Sequence, residues 1–146
     1  MYERDEQRAV SQQPDLDWFL QSLISLANTP ENRDLELGIT LLSGGFLISG
    51  YLVNGARYFE GFGYDFSTIF NSPADAEQAR SSFAEYGQLY KEETAGSTLP
   101  VFIHLKDARF FNTNGNPIPG NRGVWWRGRV SEVSGFMVGT LSANTK

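Results

Sequence analysis

The stretch Leu35-Glu36-Leu37-Gly38-Ile39-Thr40-Leu41-Leu42-Ser43-Gly44-Gly45-Phe46-Leu47-Ile48-Ser49-Gly50-Tyr51-Leu52-Val53 decides the fold class. Leu35, Leu37, Ile39 and Leu41 alternate with Glu36, Gly38 and Thr40, the period-two pattern of a half-buried strand. Ser43-Gly44-Gly45 is a turn signal, and Phe46 to Val53 reads as the returning strand. Gly50 inside that strand marks a bend or bulge. Asn54-Gly55 is the strongest turn dipeptide in the chain, and Arg57 to Phe62 fits either a short strand or a helix.

Helical spacing flanks this hairpin on both sides. Upstream, Leu16, Phe19, Leu20, Leu23 and Ala27 recur on one face, which predicts a core-facing helix over 15–27 capped by Asp15 and ended by Asn28-Thr29-Pro30. Downstream, Ser72-Pro73-Ala74-Asp75 carries a cap, a proline at the first helical position and a capping-box acid. A helix over 73–91 follows, marked by Ala76, Ala79, Phe83, Tyr86 and Tyr90. Glu92 to Ser97 reads as a loop.

The last third returns to strand. Val101, Ile103 and Leu105 alternate with Phe102, His104 and Lys106 after Pro100. Asn112 to Arg122 is a long connection rich in Asn, Gly and Pro. Val124 to Val130 is the next strand, with Val124, Trp126 and Val130 on one face and Trp125, Arg127 and Arg129 on the other. Glu132 to Gly135 turns, and Phe136 to Leu141 is a final short strand. The order of helix, two strands, helix and three strands, with glycines inside short strands, predicts an α+β fold: a small, strongly bent antiparallel sheet or barrel. Leu105-Lys106-Asp107-Ala108 followed by Trp126-Arg127-Gly128 resembles the second half of Sm-like barrels, with the 73–91 helix as an insertion. The expected organisation is a polar, acidic tail over 1–14, one globular domain over 15–142 and a short tail over 143–146.

Composition narrows the function. The 146 residues contain no cysteine, which removes disulfides, thiolate nucleophiles and cysteine-ligated zinc and fits a reducing compartment. The first residues show no apolar signal segment, and no apolar run is long enough for a bilayer, so the expected location is the cytoplasm, away from membranes. The net charge of −5 is unevenly placed. Residues 1–100 carry six basic and fifteen acidic side chains, net −9, whereas residues 101–146 carry six and two, net +4. Such a chain suits association with itself or with a protein of mixed charge better than nucleic acid.

No catalytic constellation is legible. His104 is the single histidine, and Asp107, three positions along a strand, points to the opposite face. Neither GxxxxGK[ST] nor GxGxxG occurs, and no acidic cluster has metal-ligand spacing. The expectation is a protein without catalytic residues, metal or cofactor. The cluster most suited to recognition is Trp125, Arg127 and Arg129, since Trp and Arg predominate among interface anchors. Trp125 is either exposed there or covered by one of the helices, with the arginines stacked or paired with acids. Phe136-Met137-Val138, near an expected sheet edge, is a candidate for self-association.

Two segments, Phe102-Ile103-His104-Leu105-Lys106-Asp107-Ala108 and Trp126 to Phe136, resemble the C-terminal signature of the gas vesicle accessory protein U family. Leu37-Gly38-Ile39-Thr40, Ile48-Ser49-Gly50 and Tyr58-Phe59 extend the resemblance over roughly residues 16–142. The resemblance implies a non-enzymatic protein that binds gas vesicles, with a vesicle shell protein as partner, and gathers them into clusters; the sheet edge at Phe136-Met137-Val138 adds the expectation of a homo-oligomer. The rival reading from the residues is an Sm-like, ring-forming module that binds RNA or another protein; a hydrolase built on His104 is a further one.

Overall fold

The computed structural model describes residues 16–92, 99–112, 114–120 and 122–142. The expected tail over 1–14, the Asp15 cap, most of the 92–97 loop and the tail over 143–146 lie outside the described residues. Helix α1 spans Trp18–Asn28 and is capped by Asp17, whose carboxylate accepts from the Phe19 and Leu20 amides at 2.9 and 3.4 Å. It buries Leu20, Ile24 and Ala27 completely. Phe19 departs from its expected place in the core: it is 52% exposed and packs its ring against Phe136 at 5.7 Å.

Strands β1 (Leu37–Ser43) and β2 (Phe46–Leu52) form the expected hairpin. Gly44 and Gly45 both take positive φ, the geometry that two-residue turns between right-twisted strands require. Asn54-Gly55 does not turn the chain back. It starts helix α2 (Gly55–Ser67), with the Asn54 carboxamide oxygen accepting from the Ala56 amide at 2.7 Å. Arg57 to Phe62 is therefore helical. Helix α3 (Pro73–Tyr86) is capped by Ser72 and stops at Gly87, so the helix expected over 73–91 is shorter and ends in a separate 3-10 turn, Gln88–Lys91. A Cβ at Gly87 would lie 2.9 Å from the Ala56 Cα, so the close approach of the two helices needs glycine there.

The remaining strands are β3 (Phe102–Phe111), β4 (Pro117–Ile118), β5 (Val124–Arg129) and β6 (Gly135–Val138). Every pairing is antiparallel, and the order is β4-β3-β2-β1-β6, with β5 also paired to β3. Among the described residues the fold is α+β, with three helices and one six-stranded sheet. Two-residue β4 adds a strand inside the expected connection, and the last strand is shorter than expected.

The sheet does not close, which corrects the barrel expectation, but it must curl. β5 and β6 stand at opposite edges, at least four strand spacings or about 19 Å apart if the sheet were flat. Only residues 130–134 join them, and Val130–Glu132 is a compact 3-10 turn. The bends fall where β2 and β3 shift register after Ser49, and where β3 and β5 shift after Leu105. At the first, a Cβ on Gly50 would lie 2.9 Å from the Lys106 carbonyl oxygen. The inner face then holds an aliphatic core of Ile39, Leu41, Ile48, Leu52, Ile103 and Leu105, plugged by the α1 stripe. Helix α2 lies on the other face, against β3 and β5, and α3 packs on α2.

Candidate functional site

Alternation along β3 and β5 sends one set of side chains to the core and the other toward α2. Ile103 and Leu105 go inward, and His104 between them goes outward, yet it is completely buried. The rings of Tyr58, Phe59 and Tyr90 surround it at 4.8, 5.8 and 5.8 Å. Opposite His104 in register stands Arg127, whose Nε donates to His104 Nε2 at 3.2 Å. His104 Nδ1 has no hydrogen-bond partner among the described residues. Burial, and then the Arg127 charge, push the imidazole down to about 3 from 6.5, so it is neutral at physiological pH. The same burial raises the Tyr58 and Tyr90 hydroxyls above their ordinary value.

The sequence-predicted recognition residues occupy three different situations on this outer face. Trp125 is half-buried under α2, its indole filling the space where a side chain at Gly61 would stand. Arg127 is exposed at its tip, but its guanidinium lies 3.8 Å from the Phe102 ring centroid and is held by His104. Arg129 is exposed and makes no ion pair among the described residues. Trp126 turns inward and is also half-buried, its ring edge-on to Phe110 at 6.3 Å. The open question about Trp125 therefore resolves toward helix cover, with Arg127 stacked on an aromatic rather than paired with an acid. Sequence reasoning missed Phe102 and Tyr58 as parts of this cluster. Their aromatic character at outward strand and helix positions was the available signal.

Charge pairs brace the rim. Glu36 accepts from Arg57 at 2.7 Å and Lys106 at 2.9 Å, and these bonds, Lys106 first, hold its carboxyl below the ordinary value. Burial would raise Glu60, but its bonds to Arg33 and Lys91 outweigh that and lower it. The other predicted residues, Phe136, Met137 and Val138, lie on β6, paired to β1 on one side only. Phe136 is partly buried against the core, while Met137 and Val138 are 48% and 66% exposed. Among the described residues, no group of three or more His, Asp or Glu side chains gathers where it could hold a metal ion. No described helix is long and apolar enough to cross a membrane.

The model of the family described as gas vesicle protein GvpU-like matches residues 17–141. The chain belongs to that family. The match runs from the cap of α1 to the residue beyond β6 that bonds back onto β2, so it takes in every described helix and strand and all the candidate residues. The GvpU-like assignment makes this a gas-vesicle-related protein. No curated protein and no solved structure matches the chain.

Proposed function

We propose that this protein is a cytoplasmic accessory protein that attaches to the gas vesicle shell by protein–protein contacts and, by self-association, gathers vesicles into clusters. The observation that carries the reading is the β5 rim in a chain of the GvpU-like family: Arg129 is exposed without a carboxylate partner among the described residues, beside an Arg127 guanidinium already fixed on Phe102. An arginine held in place loses less side-chain freedom on binding than a free one. A shell repeats one subunit surface many times, so a modest contact per chain becomes strong once chains are linked. The open β6 edge with Met137 and Val138 supplies the linking surface.

The test is co-flotation with purified vesicles. Arg129→Glu is the clean variant, because Arg127→Glu would also set a carboxylate against buried His104. Arg129→Glu is expected to lower the bound fraction at least about tenfold without changing the circular dichroism spectrum. Binding of the unaltered protein should weaken above physiological salt, where the screening length drops below about 8 Å. Val138→Asp should leave chains bound to vesicles but vesicles dispersed. If the unaltered protein never floats with vesicles, the reading fails; if Arg129→Glu floats normally, the rim is not the contact.

A further inference from the structure

β5 is an edge strand whose free side has a defined chemistry. Among the described residues it pairs only with β3. The Val130 amide donates to the Val101 carbonyl at 2.9 Å, one step past the pair Phe102–Arg129. Backbone bonding alternates along an antiparallel pair, so Gly128 and Trp126 also bond toward β3. Arg127 and Arg129 therefore turn their own N–H and C=O groups away from β3, to the side where no described strand pairs. His104–Arg127 and Phe102–Arg129 are then the close, non-hydrogen-bonded kind of pair, which brings the His104 ring within reach of Arg127 Nε.

With Nε bonded to His104 and one face stacked on Phe102, Arg127 keeps its two terminal nitrogens for a partner. Arg129 stands two residues along on the same face, about 7 Å away. Neither arginine has a carboxylate partner among the described residues. Between them, on the inner face, a side chain at Gly128 would collide with the half-buried Trp126 indole, which fills that space. Along the edge there is thus a cation, an aromatic surface on the opposite face, and a second cation. We infer that β5 receives an extended acid–apolar–acid segment of another protein as an added strand. The segment's backbone bonds Arg127 and Arg129, its two carboxylates meet the guanidinium groups, and the apolar residue between them covers Trp126. A second copy does not supply it. Acids two apart around an apolar residue occur at 15–17, 34–36 and 75–77. Asp17 caps α1, Glu36 is held by Arg57 and Lys106, and 75–77 lies within α3. The inference rests on the shell-contact reading of the rim only for the owner of the segment, a vesicle shell protein.

The probe is the peptide Ser-Val-Glu-Val-Glu-Val-Ser, read by amide hydrogen exchange on the full chain. At about ten times its Kd, the Arg127 and Arg129 amides should exchange about tenfold more slowly, with no comparable change at Gly128, whose amide already bonds β3. A peptide of the same composition with its glutamates adjacent should give no such protection. Arg129→Glu should weaken binding at least about tenfold, and exchanging one glutamate of the peptide for lysine should restore it. Charge attraction alone would bind both peptides alike and protect neither amide, which would overturn the inference; so would failure of both lysine peptides to rescue Arg129→Glu. On vesicles, excess peptide should release the bound protein. A peptide that protects the amides but leaves the protein on the vesicles supports the edge site and overturns the shell as owner of the segment. Flotation that Arg129→Glu abolishes, without protection of either amide on the vesicles, overturns strand addition and leaves the shell contact standing.

Discussion

The two faces of the sheet are built from different chemistry. Inside, Ile39, Leu41, Leu52, Ile103 and Leu105 meet Leu20, Ile24 and Ala27 of α1, all without solvent exposure. Outside, the same β3 strand presents His104 to a layer of Tyr58, Phe59 and Trp125, covered in turn by α3, none of whose residues is fully buried. The inner layer is saturated by this chain alone. The outer layer is aromatic, charged at its rim and unsaturated at its surface, which are the features of a face used for recognition.

Substitutions should separate the faces by magnitude. Ile24→Ala removes fully buried methyl groups from the inner core and is expected to cost about 2–5 kcal/mol in denaturant unfolding. If it costs no more than a surface change, α1 does not plug the inner face. The outer layer should show itself through pH. His104 is neutral in the folded protein down to about 3 but titrates at 6.5 when unfolded. The unfolded state therefore binds the extra proton below 6.5, and stability, full above 6.5, falls as pH drops toward 3. The slope is about 1.4 kcal/mol per pH unit, or about 2 kcal/mol lost by pH 5. Glu36 and Glu60, lowered from 4.5, lose their contribution in the same direction but at lower pH. His104→Gln, which can still accept from Arg127, should flatten the profile between pH 6.5 and 5; an unchanged profile would show that His104 is not the titrating group. The smallest effect belongs to α3. Ser82→Lys should leave stability within about 0.5 kcal/mol, and a larger loss would mean that α3 is packed more tightly than its exposure indicates.

How far the sequence revealed this depends on whether the signal was local. The hairpin was legible because alternation and two glycines are both short-range, and the β5 face assignment followed from alternation alone. Phe19 was misplaced because Leu20, Ile24 and Ala27 satisfy helical spacing equally well, and only the curl of the sheet chooses between the stripes. Asn54-Gly55 was read as a turn because asparagine that caps a helix and asparagine that turns a hairpin use the same side-chain bond to nearby backbone. Glycines at 61 and 63 hid α2, yet Gly61 is there for Trp125, a partner 64 positions away. The open sheet was out of reach for the same reason: closure depends on how far β5 and β6 curl toward each other, which no local pattern encodes.

The junction between α1 and α2 has a consequence for the order in which the chain assembles. Asn54 Nδ2 donates to the Ala27 carbonyl at 3.1 Å, and the Gly55 amide donates to Asn28 Oδ1 at 3.1 Å. This clasp joins residues only 27 apart and encloses a short 3-10 turn, Pro30–Asn32, and the β1–β2 hairpin. The ties that bring the C-terminal segment home, Ser134 to Leu42 and Leu141 to Ser49, each span 92 residues. Short loops close at lower entropic cost than long ones, so α1, the hairpin and the start of α2 form a local unit that can assemble before the last third is in place. On a ribosome, that unit emerges first and offers β3 a ready-made edge, while the β6 edge, the proposed linking surface, is completed last.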